Sequence, residues 1–272
     1  MSDNNILITG NDGFIGSSLL SEFKSTYSEI FDKIYTFEKR DIDTNGAWID
    51  DLKNLVSKSS TIIHIGADSS TQNPNFNEVL FYNYYFSKKI FDFVEGSDKK
   101  VIYSSSAACY GVDGFPSTIY GWSKYLAEQY GVAKVKNFYA LRYFNVYGPG
   151  ESHKGKMASV AYQVLSSNKI SFKLFPGKPK RDFVYIKDII SANVHPILHE
   201  IRPGVYDVGT GEQHTFEMVL DLLGRDYEYF EETSIPENYQ FSTLASKVKF
   251  MEGWSPKFSL ETGIKQYKES YS

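Results

Sequence analysis

The sequence predicts an α/β protein: a doubly wound parallel sheet with helices on both faces, and a smaller C-terminal region interleaved with it. Two observations carry this prediction. Five short apolar runs, at residues 6–9, 34–37, 61–65, 101–104 and 138–142, have the length and near-continuous hydrophobicity of strands buried on both faces, and helix-like stretches separate them. The chain of 272 residues can also bury a sizeable core, and after Tyr147-Gly148-Pro149-Gly150 its rhythm loosens into shorter pieces rich in Lys, Ser, Gly and Pro. The expected division is 1–150 and 151–272, with about 183–208 returning to the first part.

The first run leads into Gly10-Asn11-Asp12-Gly13-Phe14-Ile15-Gly16, three glycines at intervals of three, and then into a helix-like stretch over 14–23. Strand, glycine turn and helix in this order build a dinucleotide cradle. Bare backbone permits the tight turn and lets a pyrophosphate approach N–H groups at the positive end of the helix. Gly10, Gly13, Phe14, Ile15 and Gly16 are the candidate cradle residues, and the first part reads as a dinucleotide-binding domain. The second run ends at Glu38, Lys39 and Arg40. A carboxylate there accepts hydrogen bonds from an adenosine ribose, whereas cations pair with a 2′-phosphate, so NAD and NADP both stay open. Asp41 and Ile42 are candidates to border the adenine.

Further along, 78–94 places Val79, Tyr82, Phe86, Ile90 and Phe93 at helical spacing, an aromatic stripe that reads as core. The fourth run ends in Ser104-Ser105-Ser106, whose hydroxyls belong at the carboxyl edge of the sheet, where ligands bind in such folds. The stretch 120–134 is rich in helix formers and opens on Tyr120 and Lys124, one turn apart on one face. An ammonium beside a phenol favours the phenolate. The spacing therefore predicts a Tyr120 pKa below the usual value of about 10, and a tyrosine that exchanges a proton with a substrate hydroxyl near neutral pH.

The glycine turn, the serine-ended strand and the Tyr-x-x-x-Lys helix together resemble the extended short-chain dehydrogenase/reductases, the NAD-dependent epimerase/dehydratase family. The resemblance covers nearly the whole chain and implies a Rossmann-type fold with tightly bound NAD or NADP. By motif it assigns Ser106, five positions before Gly111, as the catalytic serine, Tyr120 as the acid/base, and Lys124 as the residue that binds ribose and tunes the tyrosine. It also places Gly66, Ala67 and Asn83 beside the cofactor, and leaves His64 without a proton-transfer role. Within the family, Gly66-Ala67-Asp68-Ser69-Ser70-Thr71 and the stretch 152–160 resemble the ADP-glycero-manno-heptose 6-epimerase branch. That likeness implies oxidation of the sugar C6 hydroxyl to a ketone, rotation, and return of the same hydride to the opposite face. Two acid/base groups are then required, and the match gives Tyr120 and Lys154. Asn145 and Arg181 become anchors for the substrate nucleotide and Phe175, with Pro176 and Gly177, a frame for its base, making 151–272 mainly a substrate-binding domain.

Two departures bear on specificity. Ser106 and Tyr120 are 14 positions apart, fewer than in that branch, and Lys156 stands where the branch has a small residue. A nucleotide-sugar 4-epimerase, a reductase and a non-catalytic nucleotide sensor are the competing readings. Ala107 and Ala108 argue against a 4,6-dehydratase, which carries an Asp-Glu pair there for eliminating water. Lys and Arg total 29 against 33 Asp and Glu, a net charge of −4 with no long basic run, so nucleic acid is not an expected partner. The lone Cys109 reads as buried filler and suits a reducing compartment. No metal site, membrane span or signal peptide is read from the sequence, and a cytoplasmic location is expected. Self-association as a homo-oligomer is an expectation by analogy.

Overall fold

The computed structural model describes residues 4–66, 68–70, 73–112, 114–235 and 239–271. Ala67 and Thr71, both named in the motifs, lie outside the described residues. The chain forms two compact units, Met1–Arg142 with Asn193–Tyr206, and Tyr143–Ala192 with Asp207–Ser272.

The first unit runs β1 (Ile6–Thr9), α1 (Phe14–Ser25), β2 (Ile34–Phe37), α2 (Trp48–Lys58), β3 (Thr61–His64), α3 (Phe76–Leu80), α4 (Phe86–Val94), β4 (Lys100–Ser106), α5 (Ile119–Lys134) and β5 (Asn137–Tyr143). Ile6, Leu7, Ile8, Ile62, Ile63, Val101 and Ile102 are fully buried, which explains why these strands read as unbroken apolar runs. β1 pairs in parallel with β2 on one side and β3 on the other, and β3 pairs with β4. The sheet order is β2-β1-β3-β4-β5, closed by the later strand Gly204–Val208. Winding therefore reverses between β1 and β3. That reversal is the topological switch point, outside whose carboxyl ends ligands bind in open α/β sheets.

The helices bury the faces their spacing dictates. α2 presents Trp48, Leu52 and Val56, four residues apart, to a core that also holds Phe86, Ile90, Phe91, Val94 and Phe138. Between α3 and α4 the helix widens into a π turn, Phe81–Tyr85. Val79, Phe86 and Ile90 of the predicted stripe are buried, joined by Asn83, Ser87, Phe91 and Val94, while Tyr82 and Phe93 sit at the margin. α5 starts where Thr118 Oγ1 accepts from Gly121 N at 3.0 Å. Its inner face is polar, with Ser123, Lys124 and Glu128 all buried.

The second unit contains β6 (Asn145–Tyr147), α6 (Val160–Leu165), β7 (Ser171–Leu174), β8 (Lys180–Arg181), β9 (Phe183–Tyr185), α7 (Ile186–Leu198, which continues into the first unit), β10 (Gly204–Val208, shared likewise), β11 (His214–Thr215), α8 (Phe216–Leu223), β12 (Asp226–Tyr229) and α9 (Leu260–Tyr271). Its strands form two-stranded pairs, β6 with β9, β8 with β11 and β7 with β12. Such short ladders leave backbone donors to be met by side chains, and buried carboxylates meet them. Asp182 accepts from the N–H groups of Thr210, Gly211 and Ala245 at 2.7, 2.8 and 3.1 Å, and Asp188 from those of Lys257 and Phe258 at 2.8 and 3.1 Å. Among the described residues no helix is long and apolar enough to cross a membrane, and no cluster of His, Cys, Asp and Glu could hold a metal ion.

Candidate active site

The glycine turn lies at the switch point. Gly10 has φ +78, and a Cβ there would stand 2.4 Å from the Gly66 Cα, so the ends of β1 and β3 approach more closely than side chains allow. A Cβ on Gly16 would lie 2.0 Å from the Gly10 carbonyl oxygen, which shows that the third glycine lets α1 close onto the turn. Gly13 differs. A Cβ there would meet only Gly10 O, at 3.4 Å, so the protein leaves that face open. Gly13 is also the N-cap of α1 and supplies no side-chain cap, which keeps the first-turn N–H groups for an anion. These residues fit a pyrophosphate. Phe14 is buried behind them and Ile15 half-buried, while Ile42 packs against the core beside the exposed Asp41.

Glu38, at the end of β2, is buried, and its Oε1 accepts from Asp12 N at 2.7 Å. Lys39 Nζ lies 3.1 Å from Glu78, and Arg40 lies 2.5 Å from Asp12. Asn83 on the π turn is fully buried: its Oδ1 accepts from Asp68 N at 2.8 Å, and its Nδ2 donates to Asp68 O at 3.1 Å and Ser123 Oγ at 2.9 Å. It thereby braces the loop after Gly66 against α5. His64 is fully buried between Thr9 Oγ1 at 2.6 Å and Ser87 Oγ at 2.7 Å, and burial holds its pKa well below the usual histidine range. That environment suits a structural neutral imidazole.

The three serines that end β4 separate by partner. Ser104 Oγ donates to Ile65 O at 3.1 Å and Ser105 Oγ to Glu128 Oε2 at 2.6 Å, so both serve the protein. Ser106 Oγ accepts from Ala108 N at 3.1 Å, and the Ser106 side chain is near enough to Tyr120 to favour its phenolate. Lys124 is buried with its Nζ 4.5 Å from the Tyr103 ring centre. The structure therefore brings Ser106, Tyr120 and Lys124 together on β4 and α5. It reverses the expected direction of the tyrosine pKa, however. Burial pushes the Tyr120 phenol up to about 12, Ser106 opposing only in part, and burial pushes Lys124 down to about 8. Both residues lie on α5, one turn apart, but desolvation of the phenolate, not the neighbouring ammonium, decides the direction for Tyr120.

Sequence reasoning missed what supports this constellation. The fully buried Glu128 accepts from Arg142 Nε at 2.9 Å and Nη2 at 2.5 Å, and the Arg142 guanidinium lies 4.4 Å over the Tyr110 ring. A Glu one turn beyond Lys124 and an Arg inside an apolar strand were the available signals.

In the second unit Arg181 is flanked by the rings of Tyr239 and Phe216, at 5.4 and 5.6 Å, and Nη1 donates to Lys180 O at 2.9 Å. Burial lowers its pKa, with Tyr239 opposing. Phe175 packs against Tyr239 and Phe230, with centroids at 5.3 and 5.6 Å, so Phe175 and Arg181 share Tyr239 as a neighbour. Asn145 is exposed and its Oδ1 accepts from Thr243 Oγ1 at 3.3 Å. Tyr239 and Thr243 carried no recognisable motif. Lys154 is half-buried on a 3-10 turn, Ser152–Met157, with Nζ 4.0 Å from Glu151 Oε2. Burial lowers its pKa against the pull of Glu151, whereas Lys156 is exposed.

The switch-point glycine turn and the serine–tyrosine–lysine set define a nucleotide-cofactor enzyme class, and similarity to known proteins says which. The NAD dependent epimerase/dehydratase family matches residues 6–209, and the chain belongs to that family. Two relatives carry the name ADP-L-glycero-D-manno-heptose-6-epimerase. The one from Brachyspira hyodysenteriae is 30% identical, covering 97% of this chain and 96% of its own, and the one from Fusobacterium nucleatum is 29% identical, covering 98% and 97%. The crystal structure of the Helicobacter pylori ADP-L-glycero-D-manno-heptose-6-epimerase superposes with a TM-score of 0.82 at 27% identity, over 99% of this chain and 96% of that one.

Proposed function

We propose that this chain is a nucleotide-sugar epimerase that inverts C6 of an ADP-linked glycero-manno-heptose by transient oxidation and re-reduction. The observation that carries the reading is Ser106 beside Tyr120, with Lys124 buried one turn along α5, at the carboxyl edge of a sheet whose glycine turn fits a dinucleotide. Ser106 Oγ orients the sugar hydroxyl, and Tyr120 Oη accepts its proton when the alcohol becomes a ketone and returns one on reduction. When bound, the nicotinamide supplies the hydride acceptor and donor, and its positive charge favours the phenolate that burial opposes. Lys124 donates to the nicotinamide ribose and adds its own charge to the same effect. Lys154, its pKa lowered by burial, serves as the acid/base group for the opposite face. Arg181 and Asn145 hold the diphosphate, and Phe175 offers a ring to the base. The first unit thus serves the cofactor and the second the sugar nucleotide, in a cytosolic enzyme.

Proton NMR of the purified protein with ADP-D-glycero-manno-heptose and no added cofactor tests this directly. Growth of L-glycero signals is expected. A silent spectrum from protein shown to hold its dinucleotide refutes the substrate assignment.

A further inference from the structure

An acid/base lysine on a short loop needs a fixed position and, where it is partly desolvated, a charge that offsets the loss of water. Resting on the reading of Lys154 as the second acid/base group, we infer that Glu151 is its positioning residue: the carboxylate closes the loop that carries the lysine and supplies the counter-charge that keeps an ammonium available there as a proton donor.

Glu151 follows the turn after β6 and is fully buried. Three donors converge on it. Oε1 accepts from Gly148 N at 3.0 Å and from Ser159 Oγ at 2.7 Å, and Oε2 accepts from Ser159 N at 2.6 Å. That pattern suits an ionised carboxylate, which only accepts. Ser159 is also the N-cap of α6, its Oγ accepting from Tyr162 N at 3.2 Å, so the carboxylate ties the turn after β6 to the start of α6. Residues 152–157 are the excursion between these two fixed points, and it turns back at Gly155, φ +52. Lys154 stands in it, its backbone N–H donating to Glu151 O at 2.9 Å and its Nζ 4.0 Å from Oε2.

That separation exceeds a hydrogen bond, so the carboxylate acts on Nζ through its charge. A direct bond would have to break before Nζ could hand its proton to a substrate oxygen. Burial lowers the Lys154 pKa, and Glu151 opposes it. The groups packed around the carboxylate are phenols, Tyr147 of β6, Tyr162 of α6, and Tyr267 and Tyr271 of α9, which carry no charge near neutral pH. His153 and Lys156, the titratable neighbours of Lys154 on its own turn, are exposed, where solvent screens them. Inversion needs the ammonium. When Tyr120 takes the hydroxyl proton as the hydride leaves, the returning hydride is matched by a proton from Lys154 to the ketone oxygen. The amine then regains a proton from solvent and the phenol loses one; the reverse direction starts from the amine.

The lysines of the full-length protein are reductively 13C-methylated and titrated by NMR, the Lys154 signal being the one lost in Lys154→Arg. Glu151→Gln should lower the Lys154 pKa by at least about one unit, as expected when an opposite charge within about 4–6 Å is removed. The alkaline limb of kcat, in the direction where Lys154 donates, should move down by the same amount with KM little changed. Ser159→Ala keeps the charge and cuts one tie, so it should cost stability and leave the titration in place, a contrast that a merely structural glutamate would not give. If Glu151→Gln fails to fold, Glu151→Asp, which retracts the charge by one methylene, should give a smaller fall in the same direction. An unmoved or higher Lys154 pKa in the folded Glu151 variants overturns the inference. Full turnover by Lys154→Met overturns the acid/base reading and this inference with it, an outcome separate from the titration.

Discussion

Arg142→Met and Glu128→Gln should both destabilise the first unit, but only the former in a pH-dependent way. The Glu128 side chain is 0% exposed and that of Arg142 11%, and the two make a two-point ion pair. Removing one member of such a pair leaves a buried charge unmatched and typically costs about 3–5 kcal/mol. The two orphans differ in their escape. A carboxyl of ordinary pKa about 4.3 can be protonated at pH 7 for about 3.7 kcal/mol, at 1.36 kcal/mol per pH unit, whereas a guanidinium cannot lose its proton. In Arg142→Met the buried carboxylate has lost its counter-ion, so the folded variant takes up a proton more readily than its unfolded chain does. The native state then binds more protons in that window, and lowering pH from 7 to 5.5 should recover up to about 2 kcal/mol. Glu128→Gln should show no such recovery. In the double variant most of the loss should disappear, since neither charge remains and the amide oxygen introduced at position 128 can still accept from Ser105. Urea unfolding followed by fluorescence, with Trp48 and Trp122 in this unit, measures each case. Additive losses in the double variant, or a pH-independent loss in Arg142→Met, would refute the reasoning.

The geometry sets three further outcomes. Gly16→Ala must displace the Gly10 carbonyl, 2.0 Å from the new Cβ, and should lower both the melting temperature and dinucleotide affinity, whereas Gly13→Ala, with 3.4 Å of room, should lose affinity but little stability, as paired calorimetry and thermal melts would show. Tyr120→Phe should retain the cofactor and lose about 10²–10⁴-fold in epimerisation by NMR, and a loss below about tenfold would remove the tyrosine from the chemistry. His64 stays neutral in the folded chain while its unfolded form takes a proton below about pH 6.5. Stability should thus fall with pH below that point by up to about 1.4 kcal/mol per unit, a slope that His64→Gln abolishes if the assignment is right.

The strands were readable because burial on both faces leaves an unbroken apolar signature, as in Ile6 to Ile8. Glycine spacing likewise identified the switch-point turn, since close approach at Gly10 and Gly16 is a backbone requirement that only one residue type meets. The π turn was not readable. Tyr82 and Asn83 both lie at helical spacing from Val79, so hydrophobicity favoured the ring, whereas the buried position went to the amide that bonds Asp68 and Ser123. The Tyr120 pKa failed for another reason. Sequence spacing fixes which groups are neighbours on a helix, but desolvation depends on everything packed around them, and that decided the sign. Around Arg181, the partners Phe216 and Tyr239 lie 35 and 58 positions away and became visible only on folding.

Two buried polar systems in the first unit both end on α5, and directionality explains why. One runs from Thr9 through His64 to Ser87, whose hydroxyl donates to the Asn83 carbonyl at 2.7 Å; the Asn83 amide then reaches Ser123, whose own hydroxyl donates to the Tyr120 carbonyl at 2.7 Å. The other joins Arg142 and Ser105 to Glu128. Because Ser87 spends its proton on the carbonyl, it accepts from His64 Nε2–H, leaving Nδ1 to accept from Thr9, which is the neutral tautomer with both nitrogens satisfied. Apolar packing alone would hold α5 against the sheet but would tolerate small sliding, since dispersion has little angular preference. Hydrogen bonds do not tolerate it. Ser105, one residue from Ser106, therefore ties β4 to α5 through Glu128, and Ser123, three residues from Tyr120, ties α5 to the π turn, so the two elements that carry the serine and the tyrosine are held in register, as a proton transfer between fixed oxygens requires.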